Sequence, residues 1–302
     1  MVLQSIPGVA EVETIGGGGG PPCLLVEVPH GADERAHYDA LRARMVGGLP
    51  DELHVFFHVN TDIGAYQWGR RVAERIVAGH PSRSALIIRC LVPRTFIDTN
   101  RLETAADDLS KAGLTAGVAP YVKDPRDLEL LLALHRDYVK LIEEAYPLVC
   151  ESGGFALSPH TYGPRTMGIE KIDENIVHAL KQAHEPDAWA KWPVRPDVDL
   201  ITKAPDGRRL APAEVADAVL AGYRALGLDA RDSASYTLHP SAQGSRWAAK
   251  YPDRFLCLEV RRDLLVEAYT PFEQMRVRPD AADKFAEPVA HAIDSWLGGR
   301  SR

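Results

Sequence analysis

Apolar residues run along this chain in blocks of changing period, and each block predicts an element. CLLVEVPH (residues 23–30) is a nearly unbroken apolar run that stops at a proline and a histidine, as a buried strand does. ADERAHYDALRARMV (32–46) spaces its apolar positions three and four apart and predicts a helix. ELHVFFHVN (52–60) is again dense in aromatic and β-branched residues and predicts a second strand, closed by Asp62. IGAYQWGRRVAERIVAG (63–79) predicts a helix with Ile63, Val72, Ile76 and Val77 as core positions, and SALIIRCLV (84–92) a third strand. Alternation of strand and helix implies βαβ units, a mostly parallel sheet and an α/β fold.

Further on, DPRDLELLLALHRDYVKLIEEAYP (124–147) is the clearest helix, with Leu128, Leu131, Leu132 and Leu134 available for a core-facing stripe. LVCESGGFALSPHTYGPRT (148–166) carries His160 out of a moderately apolar approach, and RFLCLEVRRDLL (254–265) reads as a late strand before a helix over 280–297. Residues 170–232 differ in character: amphipathic helices around 172–184 and 212–226 flank the connection KWPVRPDVD, which predicts a helical, lid-like insertion. The five glycines at 16–20 precede a strand and lack a GK[ST] ending, so they are no P-loop. The expected organisation is a flexible leader over 1–22, then a single α/β domain over 23–302 carrying the insertion at about 170–232.

Composition narrows the chemistry. With 45% hydrophobic and 25% charged residues the chain is an ordinary globular protein, and its net charge of −7 argues against nucleic acid as a partner. No stretch reaches the roughly 18 apolar residues of a membrane span. MVLQSIPGVAEVET has neither a basic start nor a long apolar segment, so no signal peptide is expected. The four cysteines, at 23, 90, 150 and 257, are too far apart for a CxxC pair and suit reduced thiols in the cytoplasm.

Polar groups suited to catalysis recur where the apolar approaches end: His30 in VEVPHGA, Asp62 in VNTDIGA, His160 in SPHTYGP and Glu259 in CLEVRRD. Two imidazoles and one carboxylate form a usual ligand set for a catalytic zinc with an open position. A carboxylate inside an apolar strand, as Glu259 is, has the raised pKa that a general base requires. Each residue has a plainer role available. Asp62 can cap the helix that follows it, Glu259 can pair with Arg261 or Arg262, and the histidines can be structural. Asp33, three residues after His30, competes with Asp62 as the acidic ligand, and His135 is placed to contact the site from the long helix. PRTFIDTNR (93–101) adds Arg94, Asn100 and Arg101, planar donors that clamp a carboxylate, with Asp98 to hold an arginine in place. A metal beside a carboxylate clamp suits an enzyme that cuts an acyl bond in an acidic amino-acid derivative.

In this order VPHGA, NTDIGA, PRTFIDTNR, HTYGPRT and LEVRRDLL resemble the N-formylglutamate amidohydrolase family, over most of 23–170 and 235–268. The resemblance implies a three-layer phosphorylase/hydrolase-like fold, shared with zinc carboxypeptidases, aspartoacylase and N-acetylmuramoyl amidases. It implies one Zn2+ held by His30, Asp62 and His160, Glu259 as the catalytic carboxylate, and Arg94, Asn100 and Arg101 on the carboxylate of a small N-acyl amino acid; in the mechanism this suggests, Arg94 is the catalytic arginine that steadies the oxyanion. Two positions depart from the family pattern: Ser158 stands where an aspartate often precedes the later histidine, and DTNR replaces DLNR. Two other readings stay open, an amidase acting on a peptidoglycan fragment or another N-acyl amino acid, and a non-catalytic carboxylate-binding module.

Overall fold

Aliphatic runs bounded by turn residues become strands here, and runs with a three-to-four period become helices. The computed structural model describes residues 3–17, 19–103, 117–169 and 171–299. In chain order its elements are β1 (Ala10–Gly16), β2 (Leu24–Val28), α1 (Arg35–Arg42), α2 (His54–Asn60), α3 (Ala65–Ala78), β3 (Ser84–Cys90), α4 (Pro125–Cys150) and β4 (Phe155–Tyr162). They continue with α5 (Ile176–Ala183), α6 (Pro186–Trp189), β5 (Val198–Leu200), α7 (Ala213–Ala225), β6 (Ala230–Asp232), α8 (Gln243–Lys250), β7 (Phe255–Arg261) and α9 (Pro279–Gly299). None of these helices is long and apolar enough to cross a membrane.

The strands form one seven-stranded sheet in the order β1-β3-β2-β4-β7-β5-β6. Its centre, β3-β2-β4-β7, is parallel, whereas β1 runs antiparallel on β3 and β5 antiparallel on β7. Side-chain alternation divides the core in two. Leu24, Val26 and Val28 of β2 face a cluster with Trp68 of α3, Tyr223 of α7 and Phe285 of α9. Leu25 faces the opposite cluster, with Tyr138 and Tyr146 of α4 and Trp247 of α8. This is the mostly parallel, mixed α/β sheet with helices on both sides that the alternating pattern predicts. Glu27 of β2 is buried beneath α4, where Tyr138 Oη (3.0 Å) and Tyr146 Oη (2.5 Å) both donate to its carboxyl. Burial raises its pKa against the opposing pull of those two hydrogen bonds.

Three expectations are corrected. ELHVFFHVN is helical: His54–Asn60 forms α2, with Phe56 and Phe57 buried. A short, densely apolar run fits a buried helix as well as a strand, and its period alone does not separate them. Residues 10–16 of the expected leader are the edge strand β1, paired with β3 from Ala10↔Cys90 to Gly16↔Ser84; Met1, Val2 and Gly18 lie outside the described residues. Hydrogen bonding to β3 supplies the order that glycine-rich composition does not. Within 170–232, of which Glu170 lies outside the described residues, β5 and β6 extend the sheet and α7 packs on α9. Only α5 and α6 remain apart from the sheet as a helical excursion.

Close approach of α3 to the strands depends on Gly69. A Cβ there would lie 2.9 Å from Pro159 Cγ and 3.0 Å from Val26 Cγ1, so a larger residue pushes α3 off β2 and β4. Gly69→Val should lower unfolding stability by about 1–3 kcal/mol, the usual cost of overpacking. Gly48→Ala, where a Cβ meets nothing within 4 Å, should stay within ~0.5 kcal/mol of the parent in urea denaturation.

Candidate metal centre

Open α/β sheets bind ligands at the carboxyl ends of their strands, at the crevice where the strand order reverses. Here β2 has β3 on one side and β4 on the other, and the candidate residues stand at that edge. His30 follows β2 directly, His160 lies near the end of β4, and Glu259 lies on β7 in register with His160. Asp62 comes from the turn between α2 and α3, inside the crossover from β2 to β3.

Local contacts fix each position. Pro29 O accepts from Thr99 Oγ1 (2.9 Å) and Gly31 O from Arg89 Nε (2.9 Å), which ties the His30 turn to the end of β3. Gly31 leaves no room for a side chain, since a Cβ would sit 2.5 Å from Arg89 Cγ and 3.0 Å from Cys90 O. Thr61 Oγ1 donates to Ala32 O (2.8 Å) and Thr161 Oγ1 to Ile63 O (3.0 Å), so the Asp62 turn is stitched to both histidine-bearing segments. The buried Arg262 donates to Val59 O (2.7 Å) and Thr161 O (3.3 Å) across the same seam.

The result is a three-residue cluster. Asp62 Oδ2 lies 3.1 Å from His30 Nδ1 and 2.9 Å from His160 Nδ1, and all three residues are buried. One ligand atom from each falls within 4.8 Å of the others, close enough to share a metal ion. The far nitrogen of each ring has its own partner: His30 Nε2 lies 2.8 Å from Asp98 Oδ1 and His160 Nε2 lies 3.2 Å from Ser158 Oγ. With those nitrogens protonated, both Nδ1 lone pairs point to the space beside Asp62, the arrangement metal-binding histidines adopt. The donor set therefore fits a divalent cation of the zinc type. Ser158, where an aspartate was expected, supplies the imidazole with a hydroxyl acceptor in place of a carboxylate.

Electrostatics agree with this geometry. Burial alone would raise the Asp62 carboxyl, but the two imidazoles outweigh it and hold the group below the usual carboxylate range. Asp98 behaves likewise: burial opposes ionisation, while Arg101, His30 and Arg94 favour it. His30 is raised, because Asp98 and Asp62 together overcome burial and the Arg94 charge. Glu259 moves the other way. Burial and the Asp62 charge push its carboxyl up from 4.5 to about 7, with His160, Arg195 and Arg94 pulling back. Its Oε2 has no hydrogen-bond partner among the described residues.

The plainer roles are answered atom by atom. Asp62 does not cap α3; the N-cap is Gly64, without a side-chain bond. Glu259 forms no pair with its neighbours, since Arg261 is engaged by Asp197 (3.0 Å) and Asp263 (2.9 Å) and Arg262 by backbone carbonyls. Asp33 is buried but turned to Arg89 Nη2 (2.6 Å) and Gln67 Nε2 (3.2 Å), so Asp62 is the carboxylate that joins the imidazoles.

A cavity of about 300 Å³ opens on the cluster, lined by His30, Asp62, His160, Glu259, Arg94, Asn100 and Arg101. Asn100 accepts from Gly244 N through Oδ1 (3.1 Å), which leaves its NH2 group as the donor it can offer a ligand. Asp98 does not line the cavity; its oxygens serve His30, Arg94 Nη2 (3.2 Å) and Arg101 Nη2 (3.7 Å), so it stands behind the arginines and not on a ligand. His135 touches the site indirectly, its Nε2 lying 2.7 Å from Arg101 O. Sequence reasoning missed Arg195 and Tyr236. Arg195 lines the cavity, donates to Tyr236 Oη (2.8 Å) and lies over the rings of Tyr162 (5.1 Å) and Tyr236 (5.4 Å). No motif marks it, because KWPVRPDVD shows only a proline-rich connection.

Neither a scan against protein-family models nor a search of curated proteins finds a match to this chain. Solved structures do resemble it. A gene product of Agrobacterium tumefaciens superposes with a TM-score of 0.58 at 16% identity, covering 97% of this chain and 96% of that one. An N-formylglutamate amidohydrolase from Ralstonia eutropha superposes with a TM-score of 0.55 at 14% identity, covering 96% of this chain and 99% of that one. At these identities the likeness establishes a shared fold along nearly the whole chain.

Proposed function

We propose that this chain is a zinc-dependent amidohydrolase that cleaves the N-acyl amide bond of an acidic amino acid such as N-formylglutamate. The observation that carries the proposal is the convergence of His30, Asp62 and His160 on one point beside Glu259, in a cavity that also presents Arg94 and Arg101. The fold it shares with an N-formylglutamate amidohydrolase supports the same chemistry. The free cysteines, Cys23, Cys90, Cys150 and Cys257, suit a reducing compartment such as the cytoplasm.

His30 Nδ1, His160 Nδ1 and Asp62 Oδ2 would hold the cation. When bound there, it supplies a Lewis acid for the acyl carbonyl and lowers the pKa of water. Glu259 takes one proton from the attacking water as the new C–O bond forms, then delivers that proton to the amine nitrogen as the C–N bond breaks. Its lack of a hydrogen-bond partner keeps Oε2 available for both transfers. Arg94 stabilises the charge that develops on the carbonyl oxygen, and Arg101 with Asn100 holds the substrate carboxylate. A carboxylate-binding module without catalysis would not require a half-buried acid with an unpartnered Oε2 beside the ligand cluster.

The purified protein should contain about one zinc per chain by elemental analysis, the stoichiometry of a catalytic site with three protein ligands. His30→Ala and His160→Ala should each abolish metal retention and activity while the circular dichroism stays native. Protein without metal and without activity on any formyl, acetyl or aspartyl substrate would favour the binding module. Glu259→Gln should keep the metal yet lose about 10²–10⁴-fold in kcat, the range expected for loss of a general acid–base.

Stability of the metal-free protein follows from the same residue. The folded-state pKa of Glu259 is raised, so its contribution is fully present below about 4.5 and is lost as pH rises through about 7. Metal-free parent should therefore lose stability relative to Glu259→Gln between about pH 5 and 8, measured by urea denaturation.

A further inference from the structure

Beyond its polar end the cavity has a second wall of different chemistry. Met167, Ile169, Ile172, Ile176, Leu180 and Trp189 line it, all from the stretch between β4 and β5. Phe56 and Val59 of α2 contribute further apolar lining. Four members of the wall, Met167, Ile169, Ile172 and Trp189, are only partly buried, so apolar surface remains open to water in the cavity.

This wall is built and braced. Trp189 stacks on His184 with ring centroids 4.7 Å apart, and His184 packs edge-on against Phe272 at 4.8 Å. Trp192 Nε1 donates to Ala183 O (3.1 Å), Arg165 Nη1 to Trp192 O (2.6 Å) and Thr166 N to Pro193 O (2.9 Å). These bonds tie the α5–α6 excursion together and to the segment that follows the strand carrying His160. A formyl group, with its single carbon, makes no use of such a wall. The carboxylate of an acidic amino acid makes none either, since its partners lie on the Arg94–Arg101 segment.

We infer that the substrate is an N-acyl amino acid carrying, on one side of the scissile amide, an apolar group of about four or more carbons that this wall desolvates. The inference rests on the amidase reading and departs from its example: N-formylglutamate lacks such a group, so the preferred substrate is instead the other N-acyl amino acid that the sequence leaves open. Two sources supply the same chemistry, a fatty or branched acyl chain and an apolar amino-acid side chain. In either case each buried methylene strengthens binding by about fourfold.

The test is calorimetric titration of metal-loaded Glu259→Gln, which binds substrates without turning them over. One ligand series is N-formyl-, N-butyryl- and N-hexanoyl-glutamate; the other is N-formyl-glutamate, N-formyl-leucine and N-formyl-phenylalanine. Affinity rising by about fourfold per methylene along the first series places the apolar group on the acyl side, and along the second on the amine side. Ile172→Asp, at a partly buried position, should flatten whichever series rises. Two flat series with N-formylglutamate the tightest ligand would overturn the inference and leave the amidase reading intact. If no amide binds, that reading fails, and the wall is judged by thermal shift alone. Octanoate raising the melting temperature more than acetate, with the difference lost in Ile172→Asp, would support it, and equal shifts would overturn it.

Discussion

Asp62 Oδ2 stands within about 3 Å of two imidazole nitrogens, 3.1 Å from His30 and 2.9 Å from His160, in a place that water barely reaches. A buried carboxylate costs several kcal/mol of lost solvation unless other groups compensate it. Here the compensation is arranged as a chain of partners running outward. Asp98 holds the far side of His30, Ser158 the far side of His160, and Arg94 and Arg101 neutralise Asp98. Removing a member takes a partner from another buried polar group, which is why the three clustered residues are understood best as one unit. A divalent cation would suit the unit, since it would give both Nδ1 lone pairs and the carboxylate a common partner.

The fold delivers that unit because of where its strands end. Four parallel strands stop at one edge, and the reversal of order around β2 opens a crevice there between β2 and β4. His30 and His160 come from the two strands that flank this crevice, and Glu259 from the next strand along, in register with His160. Asp62 alone does not arise from a strand. Its turn reaches the edge because α3 lies close on the sheet at Gly69, and because Thr61 and Thr161 bond across to neighbouring backbone carbonyls. A small residue beneath α3 and two hydroxyls beside the turn thus set the position of the shared ligand.

The central strands were legible in the sequence because burial on both faces favours predominantly aliphatic runs such as LLVEV and SALIIRC, each with few polar residues. The polar residues closing those runs were legible for the same reason, since a polar group at the end of a buried strand stands out. ELHVFFHVN misled because α2 buries two adjacent phenylalanines and therefore lacks the polar face that marks a surface helix. β1 was illegible because an edge strand is half solvated; its pattern of Glu11, Glu13 and Thr14 looks like a loop until β3 pairs with it. Arg195 was hidden for a different reason. Its place in the cavity depends on Tyr162 and Tyr236, residues remote in order whose convergence no local pattern records.

The cavity itself divides between two parts of the chain. His30, Asp62, Arg94, Asn100, Arg101, His160 and Glu259 all lie within 23–170 and 235–268, the segments that carry the motifs. Most of the apolar wall and Arg195 come from the region that the motifs leave unmatched or only just touch, between Met167 and Arg195. Sheet-edge residues are constrained from every side by strand register and by each other's buried charges, so few substitutions are tolerated there. α5 and α6 are held instead by ring contacts of Trp189, His184 and Phe272 and by hydrogen bonds of Trp192 and Arg165, outside the buried charge cluster. On the proposed function, reaction and selectivity would rest on separate parts of one cavity, with Arg195 as the link between them, since its charge acts on Glu259.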